Sequence, residues 1–257
     1  MEKRLDFRFA LPRPPKGPLI EMSAEEMERT LLKRLAEEKS RPADALWQLA
    51  RFYQQSRQID KGLDCLRRVL AEMPDVEGKA GCVLAMGQMM ESAADYPAAV
   101  RYYKEAFALE PVRTDVWYFI NNNLGFSLNQ LQQFAEGEKY CRKAIEVNAS
   151  RPNAFKNLGI ALEGQGDFPG AAKCFLKATR VNAADARAFH LLEELLKRHP
   201  ELEYEFQEEV DYCRKAIEVV AKKAAELKPV VYRGWRKQFV LLKARIRSLL
   251  RRPGSRS

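Results

Sequence analysis

Histidine is nearly missing from this chain of 257 residues: His190 and His199 are the two present, with no cysteine and no paired carboxylates patterned around them. An imidazole-based metal centre or acid–base catalyst has almost no material to be built from. No P-loop, GxSxG or GxGxxG string occurs, which removes phosphate-cradling loops and nucleophile elbows from the reading. Gly164 and Gly166, in Glu-Gly-Gln-Gly-Asp, fall between two helical patterns, where a tight turn accounts for them. The five cysteines form no CxxC pair and no Cys/His cluster. Cys65, Cys82, Cys141 and Cys174 sit inside helical packing patterns and are expected as small buried hydrophobes, not as disulfides, redox centres or metal ligands. Long apolar runs are absent too, none approaching the ~18 residues of a membrane span. These absences predict a chain with no enzymatic activity, no cofactor and no metal.

Acidic residues are missing from one stretch only. Residues 228–257 hold ten Lys and Arg and no Asp or Glu, whereas residues 1–227 hold 34 basic against 35 acidic groups, so the net charge of +9 resides in the tail. Within the tail Trp235, Phe239, Leu242, Ile246 and Leu249 recur every three to four residues and form one helical stripe. Such a helix can dock its stripe on the preceding structure and point its charges to water. Its basic face, with Arg233, Arg236, Lys237, Lys243, Arg247 and Arg251, also suits an acidic protein surface, an anionic membrane or a nucleic acid backbone. No RNA-recognition, zinc or helix-turn-helix signature accompanies it, which disfavours specific nucleic acid readout.

What the chain does contain is repetition. Tyr-Cys-Arg-Lys-Ala-Ile-Glu-Val stands at 140–147 and again at 212–219. Units counted from Ala43, Ala80, Tyr118 and Pro152 have small residues at the eighth place, Ala50, Gly87, Gly125 and Gly159, and at the twentieth, Gly62, Ala99, Gly137 and Ala171. Two antiparallel helices approach closely only where both are small, so each unit predicts a tightly crossed helix pair, A and B. Larger apolar groups fill the seventh place (Leu49, Met86, Leu124, Leu158), the eleventh (Tyr53, Met90, Leu128, Leu162) and the seventeenth (Ile59, Tyr96, Phe134, Phe168). Pro74 and Pro111 end their B helices. Four extra residues, Thr114 to Trp117, are expected to add a turn to the third A helix and to make Trp117 a packing residue. Phe189, Leu192 and Leu196 mark a fifth A helix, but Glu193 and Glu209 replace the small pair of that unit, so a splayed terminal pair is predicted.

In these features residues 43–185 closely resemble the tetratricopeptide repeat family. The resemblance implies an all-α, right-handed α-solenoid of about five helix-turn-helix repeats with N- and C-terminal capping helices. The organisation expected is a proline-rich extended arm over 1–22, which could lie in the groove of the solenoid, and a capping helix over 23–42 begun by the Ser23/Glu26 capping box. The array follows over 43–227, as units 43–76, 80–113, 118–151, 152–185 and an atypical 186–227. Residues 228–257 form the basic amphipathic helix and tail. The arm carries charges among its prolines and does not read as a signal peptide, so a cytoplasmic location is expected.

The resemblance also implies that A helices line a concave groove and that places two, five, nine and twelve project into it. Those places hold Trp47, Arg51 and Gln54; Leu84, Gln88 and Glu91; Phe119, Asn122, Phe126 and Asn129; Asn153, Lys156, Ile160 and Glu163; and Arg187, His190 and Glu194. Asparagine is a mediocre helix former, which makes the run Asn121-Asn122-Asn123 unusual. Either one amide bonds neighbouring backbone while the others are solvated, or the row contacts a bound peptide. The lysine–asparagine–arginine set with which some family members clamp chaperone termini is incomplete in every window. The function expected is therefore a non-catalytic scaffold binding another partner protein or extended peptide in the groove. The alternative is an anion-binding module acting through the tail, and self-association through an open solenoid end is a third possibility.

Overall fold

The computed structural model describes residues 23–37 and 42–226. The proline-rich arm and the basic tail, with Arg233, Arg236, Lys237, Lys243, Arg247 and Arg251, lie outside the described residues. Among those described there are twelve helices and no strand. Helix α1 (Ala24–Glu37) precedes four A/B hairpins: α2 (Pro42–Gln55) with α3 (Ile59–Glu72), α4 (Val76–Ser92) with α5 (Tyr96–Ala108), α6 (Thr114–Gln130) with α7 (Phe134–Val147), and α8 (Pro152–Gly164) with α9 (Phe168–Val181). Then come α10 (Arg187–Arg198), the six-residue α11 (Pro200–Glu205) and α12 (Gln207–Glu226).

The predicted close crossing is present in each hairpin, and its chemistry is complementary from unit to unit. A Cβ on Gly87 would collide with the ring of Tyr103, one on Gly159 with the ring of Phe175, and one on Gly125 with Cys141 Sγ. All three obstacles occupy the same place on their B helices. Tyr103 and Phe175 are fully buried in the hollows that these glycines leave, a burial worth about 2–3 kcal/mol for a ring of this size. The A–B turns share one backbone design. The amides of Gln58, Asp95, Gln133 and Asp167 donate to the carbonyls of Tyr53, Met90, Leu128 and Leu162 at 2.8, 3.0, 2.9 and 2.9 Å. The residue before each amide, Arg57, Ala94, Gln132 and Gly166, has φ of 58, 61, 59 and 83°. This is the left-handed helix stop that closes a Schellman motif. Asp95 and Asp167 then cap the following B helix, accepting from Ala98 N at 3.0 Å and Gly170 N at 2.9 Å.

Trp117 stacks on Phe107 with centroids 4.7 Å apart, in the added first turn of α6. Helix α4 likewise starts a turn before its repeat pattern, capped by Asp75. Glu77 in that extra turn accepts the amides of Val112 and Arg113, pinning the loop after α5. Helix α1 buries no residue fully, yet Leu31 and Leu35 pack on the first hairpin. Its Glu28 accepts the Tyr53 hydroxyl at 2.9 Å and pairs with Lys61 at 3.2 Å. Cys65, Cys82, Cys141 and Cys213 are buried, Cys174 is half-buried, and all five are free thiols. Burial pushes the Cys82 and Cys141 thiols up to about 12, which leaves them inert as nucleophiles at neutral pH.

At the C-terminal end, the sequence pattern did not foresee α11, which interrupts the fifth hairpin. Leu202 and Phe206 enter one core with Leu192, Leu195 and Leu196 of α10 and with Val210 and Cys213 of α12. The extra turn thus supplies apolar bulk where the small pair of the other units is lost. Glu193 and Glu209 are half-buried rather than sealed between helices.

Candidate functional site

The A helices form one layer, joined side by side through polar side chains. Gln54 Nε2 of α2 donates to the Gln88 carbonyl of α4 at 3.3 Å. Asn129 Nδ2 of α6 donates to the Asn157 carbonyl of α8 at 2.7 Å, and Asn157 Nδ2 returns to Asn122 Oδ1 at 3.2 Å. Arg187 Nη2 of α10 reaches Asn153 Oδ1 of α8 at 3.3 Å. The face of this layer carries the candidates named from the repeat pattern, and the structure sorts them by depth.

Three are inside. Leu84 is 1% exposed and belongs to the core between the second and third hairpins, while Asn122 and Asn129 are 6% and 4% exposed. These side chains hold neighbouring helices together and do not stand open to a ligand. The asparagine row therefore follows neither expectation in full. Asn121 does bond its own backbone, donating to the Trp117 carbonyl at 2.8 Å, but Asn122 is sequestered in the α6–α8 contact and donates to Asn123 Oδ1 at 2.9 Å.

The remaining candidates reach the surface. Trp47, Gln54, Gln88, Phe119, Phe126, Asn153 and Lys156 are half-buried, and Arg51, Arg187 and His190 are exposed. Phe126 is steadied edge-on by Tyr96, with centroids 6.1 Å apart. Phe119 packs edge-on against Tyr118, and the Arg151 guanidinium lies over both rings at 4.8 and 4.9 Å. The Gln54 side chain is partly committed to the Gln88 backbone.

The charges of this face are coupled. Glu91 accepts the Tyr103 hydroxyl at 2.8 Å and also neighbours Ser127 and Lys156. Burial raises its carboxyl above the ordinary carboxylate range, against the pull of those partners. Burial and the Glu91 charge together push the Tyr103 phenol far up, so it stays a hydrogen-bond donor. Lys156 is lowered by burial first and then by the like charge of Arg187, while Asp185 and Glu91 partly restore it. Asp185 is held low by the Arg187 guanidinium, whose Nε lies 2.8 Å from Oδ1. Tyr103, Ser127 and Asp185 had not been recognised as part of this face. The usable signal was Tyr103 standing at the same place as Phe175, which locates its hydroxyl end beside the twelfth place of its own unit.

Among the described residues no group of His, Cys, Asp and Glu side chains is placed to hold a metal ion, and no helix is long and apolar enough to cross a membrane. His199 stacks on Phe168 with centroids 3.8 Å apart, a packing role.

Comparison with known proteins agrees with the repeat pattern. A family model described as tetratricopeptide repeat matches residues 120–151. Human tetratricopeptide repeat protein 7B is 32% identical over 98 residues, covering 38% of this chain and 11% of that relative, so the chain spans about a tenth of its length. Among solved structures, BtubC from P. vanneervenii aligns with a TM-score of 0.66 at 17% identity, over 81% of this chain and 95% of that one. YrrB, described as a TPR protein with an unusual peptide-binding site, aligns with a TM-score of 0.52 at 20% identity, over 76% of this chain and 99% of that one. At such identities the structural likeness speaks for the fold. The repeat pattern, the stacked hairpins and these matches together support a tetratricopeptide repeat assignment.

Proposed function

We propose that the chain is a non-catalytic interaction scaffold that binds an extended segment of a partner protein along the A-helix face. The observation that carries this reading is a row of half-buried aromatic anchors on one helical layer, Trp47, Phe119 and Phe126, set among amide and charged side chains. Rings that are partly exposed and held by neighbours offer large contact area at small entropic cost, the pattern of binding hot spots. The polar links beneath them keep the helices in fixed relation, so anchors are presented at set spacings. That YrrB, of the same fold, is described by a peptide-binding site is consistent with this use of the face.

The test is affinity capture from native lysate with mass spectrometry, run on the full chain, on a Trp47→Ala/Phe126→Ala variant with an unchanged thermal melt, and on a chain ending at Leu227. Partners lost with the two ring substitutions and kept without the tail support the proposal. Partners lost only with the tail, and released as salt rises, would replace it with the anion-binding alternative.

A further inference from the structure

The octapeptide of α7 returns in α12, and the two copies meet different surroundings. In α7, Tyr140 is half-buried against Phe107, with centroids 5.5 Å apart, and Val147 packs in a core cluster with Tyr118, Ala144 and Ala154. The corresponding residues of α12, Tyr212 and Val219, are 61% and 50% exposed. Val210 and Cys213 of α12 are buried, but no residue from Arg214 to Ala225 is. The Arg180 guanidinium lies over the Tyr212 ring at 5.6 Å, which steadies the ring and leaves much of it open. Seven residues make close to two turns, so Tyr212 and Val219 stand on one side of the helix, away from the side that Val210 and Cys213 turn to the core. Glu208, Lys215, Lys222 and Lys223 lie on the same outer side, all exposed. A carboxylate thus stands at one end of this side and two ammonium groups at the other, with the apolar pair between.

We infer that the outer side of α12 is a contact surface for a second copy of this chain, in an antiparallel, two-fold symmetric helix pair in which Tyr212 of each protomer rests on the partner's Val219. A two-fold contact has to be complementary to itself, and this register is. Four residues back from Tyr212 on one helix and four residues on from Val219 along the other bring Glu208 to the partner's Lys223, with the partner's Lys222 beside it. The same exchange occurs a second time across the axis. A parallel pair would instead set Glu208 on its own copy and Lys223 on its own copy, so charge selects the antiparallel orientation. Lys215 falls near the axis, where two like charges approach. Its stem can lie along the apolar pair and carry the ammonium out to water, at some loss of affinity. One helix from each protomer makes a contact at the small end of specific interfaces, and a dissociation constant of about 10–100 µM is expected. The inference does not need the scaffold reading. Joined to it, the pair offers two A-helix faces to a partner that carries two recognised segments.

Sedimentation equilibrium of the full chain tests this, at about 0.15 M salt so that repulsion between the positively charged chains is screened, over about 1–200 µM, a range that brackets the expected constant. The parent is compared with Tyr212→Ser/Val219→Ser, with Glu208→Lys, with Lys222→Glu/Lys223→Glu, and with an equimolar mixture of the last two, each checked by thermal melt. The parent should pass from the mass of one chain to that of two. Removing the apolar pair should weaken association by about tenfold or more. Each charge reversal should weaken it by about tenfold, and the mixture should recover it, because every facing pair is then again of opposite sign. Should a reversed variant not fold, Tyr212→Ser/Val219→Ser decides alone. A parent that stays a single chain throughout overturns the inference. So does a dimer that ignores all these substitutions, which would place the contact elsewhere in the chain, or a loss in the reversed variants that mixing does not restore. None of these outcomes touches the A-helix face, so the scaffold reading stands or falls by its own test.

Discussion

Replacing Arg57, Ala94 and Gln132 by glycine is expected to stabilise the chain, although each change only removes atoms. All three residues are exposed, none uses its side chain in a hydrogen bond or ion pair among the described residues, and all sit at positive φ in the stop between an A and a B helix. The fourth repeat already has Gly166 there, at φ 83°. Left-handed backbone costs an L-residue about 1–2 kcal/mol, while glycine gives back about 0.4–1 kcal/mol through the greater freedom of the unfolded chain. The net gain is about 0.5–1 kcal/mol per site. Because the turns lie in different hairpins and share no partner, the triple variant should gain about 1.5–3 kcal/mol. Gly166→Ala is the converse, losing about as much; no atom stands within 4 Å of its added Cβ, so the loss would be conformational alone. Urea unfolding followed by circular dichroism reads these as shifts of midpoint at constant m, the constancy guarding against separate melting of repeats. A lowered midpoint for Ala94→Gly, or no change for Gly166→Ala, would refute the reasoning.

Two further perturbations probe the crossing and the A-helix face. Gly125→Ala would put a Cβ 3.0 Å from the Gly137 carbonyl and 3.2 Å from Cys141 N, backbone atoms that cannot rotate away, so a loss of about 2–3 kcal/mol is expected in the same unfolding assay. Gly81→Ala in α4, with nothing within 4 Å, should instead gain up to about 1 kcal/mol; similar outcomes at the two sites would count against the close crossing. Glu91 gives a pH signature. Its carboxyl is raised by burial in the folded chain, so the folded state holds its proton more tightly than the unfolded state does. That contribution to stability is complete below the unfolded carboxylate value and is lost as pH rises through the folded one. Glu91→Gln keeps an acceptor for Tyr103 and should flatten the stability–pH profile in that window; an unchanged slope would show that Glu91 does not carry it.

The fold was legible because the signal recurs. One small residue means little, but Ala50, Gly87, Gly125 and Gly159 at one place and Gly62, Ala99, Gly137 and Ala171 at another define a hairpin four times over. Where repetition stops, legibility stops with it. Helix α11 occurs once, and its apolar anchors Leu202 and Phe206 sit among glutamates that mask any period. The A–B stops were visible as glycine only at Gly166, since arginine, alanine and glutamine carry no turn signal. For the candidate face, the repeat places indicate which side of a helix a residue lies on but not how near the next helix comes. Leu84, Asn122 and Asn129 are on that side and are nevertheless covered, because α4, α6 and α8 pack there.

The covered asparagines also explain how such a face can be both packed and polar. Asn129 fits over Gly137 only because the glycine has no Cβ, which the Asn129 Oδ1 would otherwise strike. From there its Nδ2 reaches the Asn157 carbonyl, and Asn157 in turn reaches Asn122. Sliding α8 along α6 by one residue would part the Asn129 and Asn157 Nδ2 donors from their acceptors, at about 1–3 kcal/mol for each group stranded. Leucines at the same places would tolerate several registers. The small residue that permits the helix crossing within the third repeat thus also lets an amide link it to the fourth. That link fixes the register of α6 against α8, and with it the relative placing of the side chains each helix turns to the face.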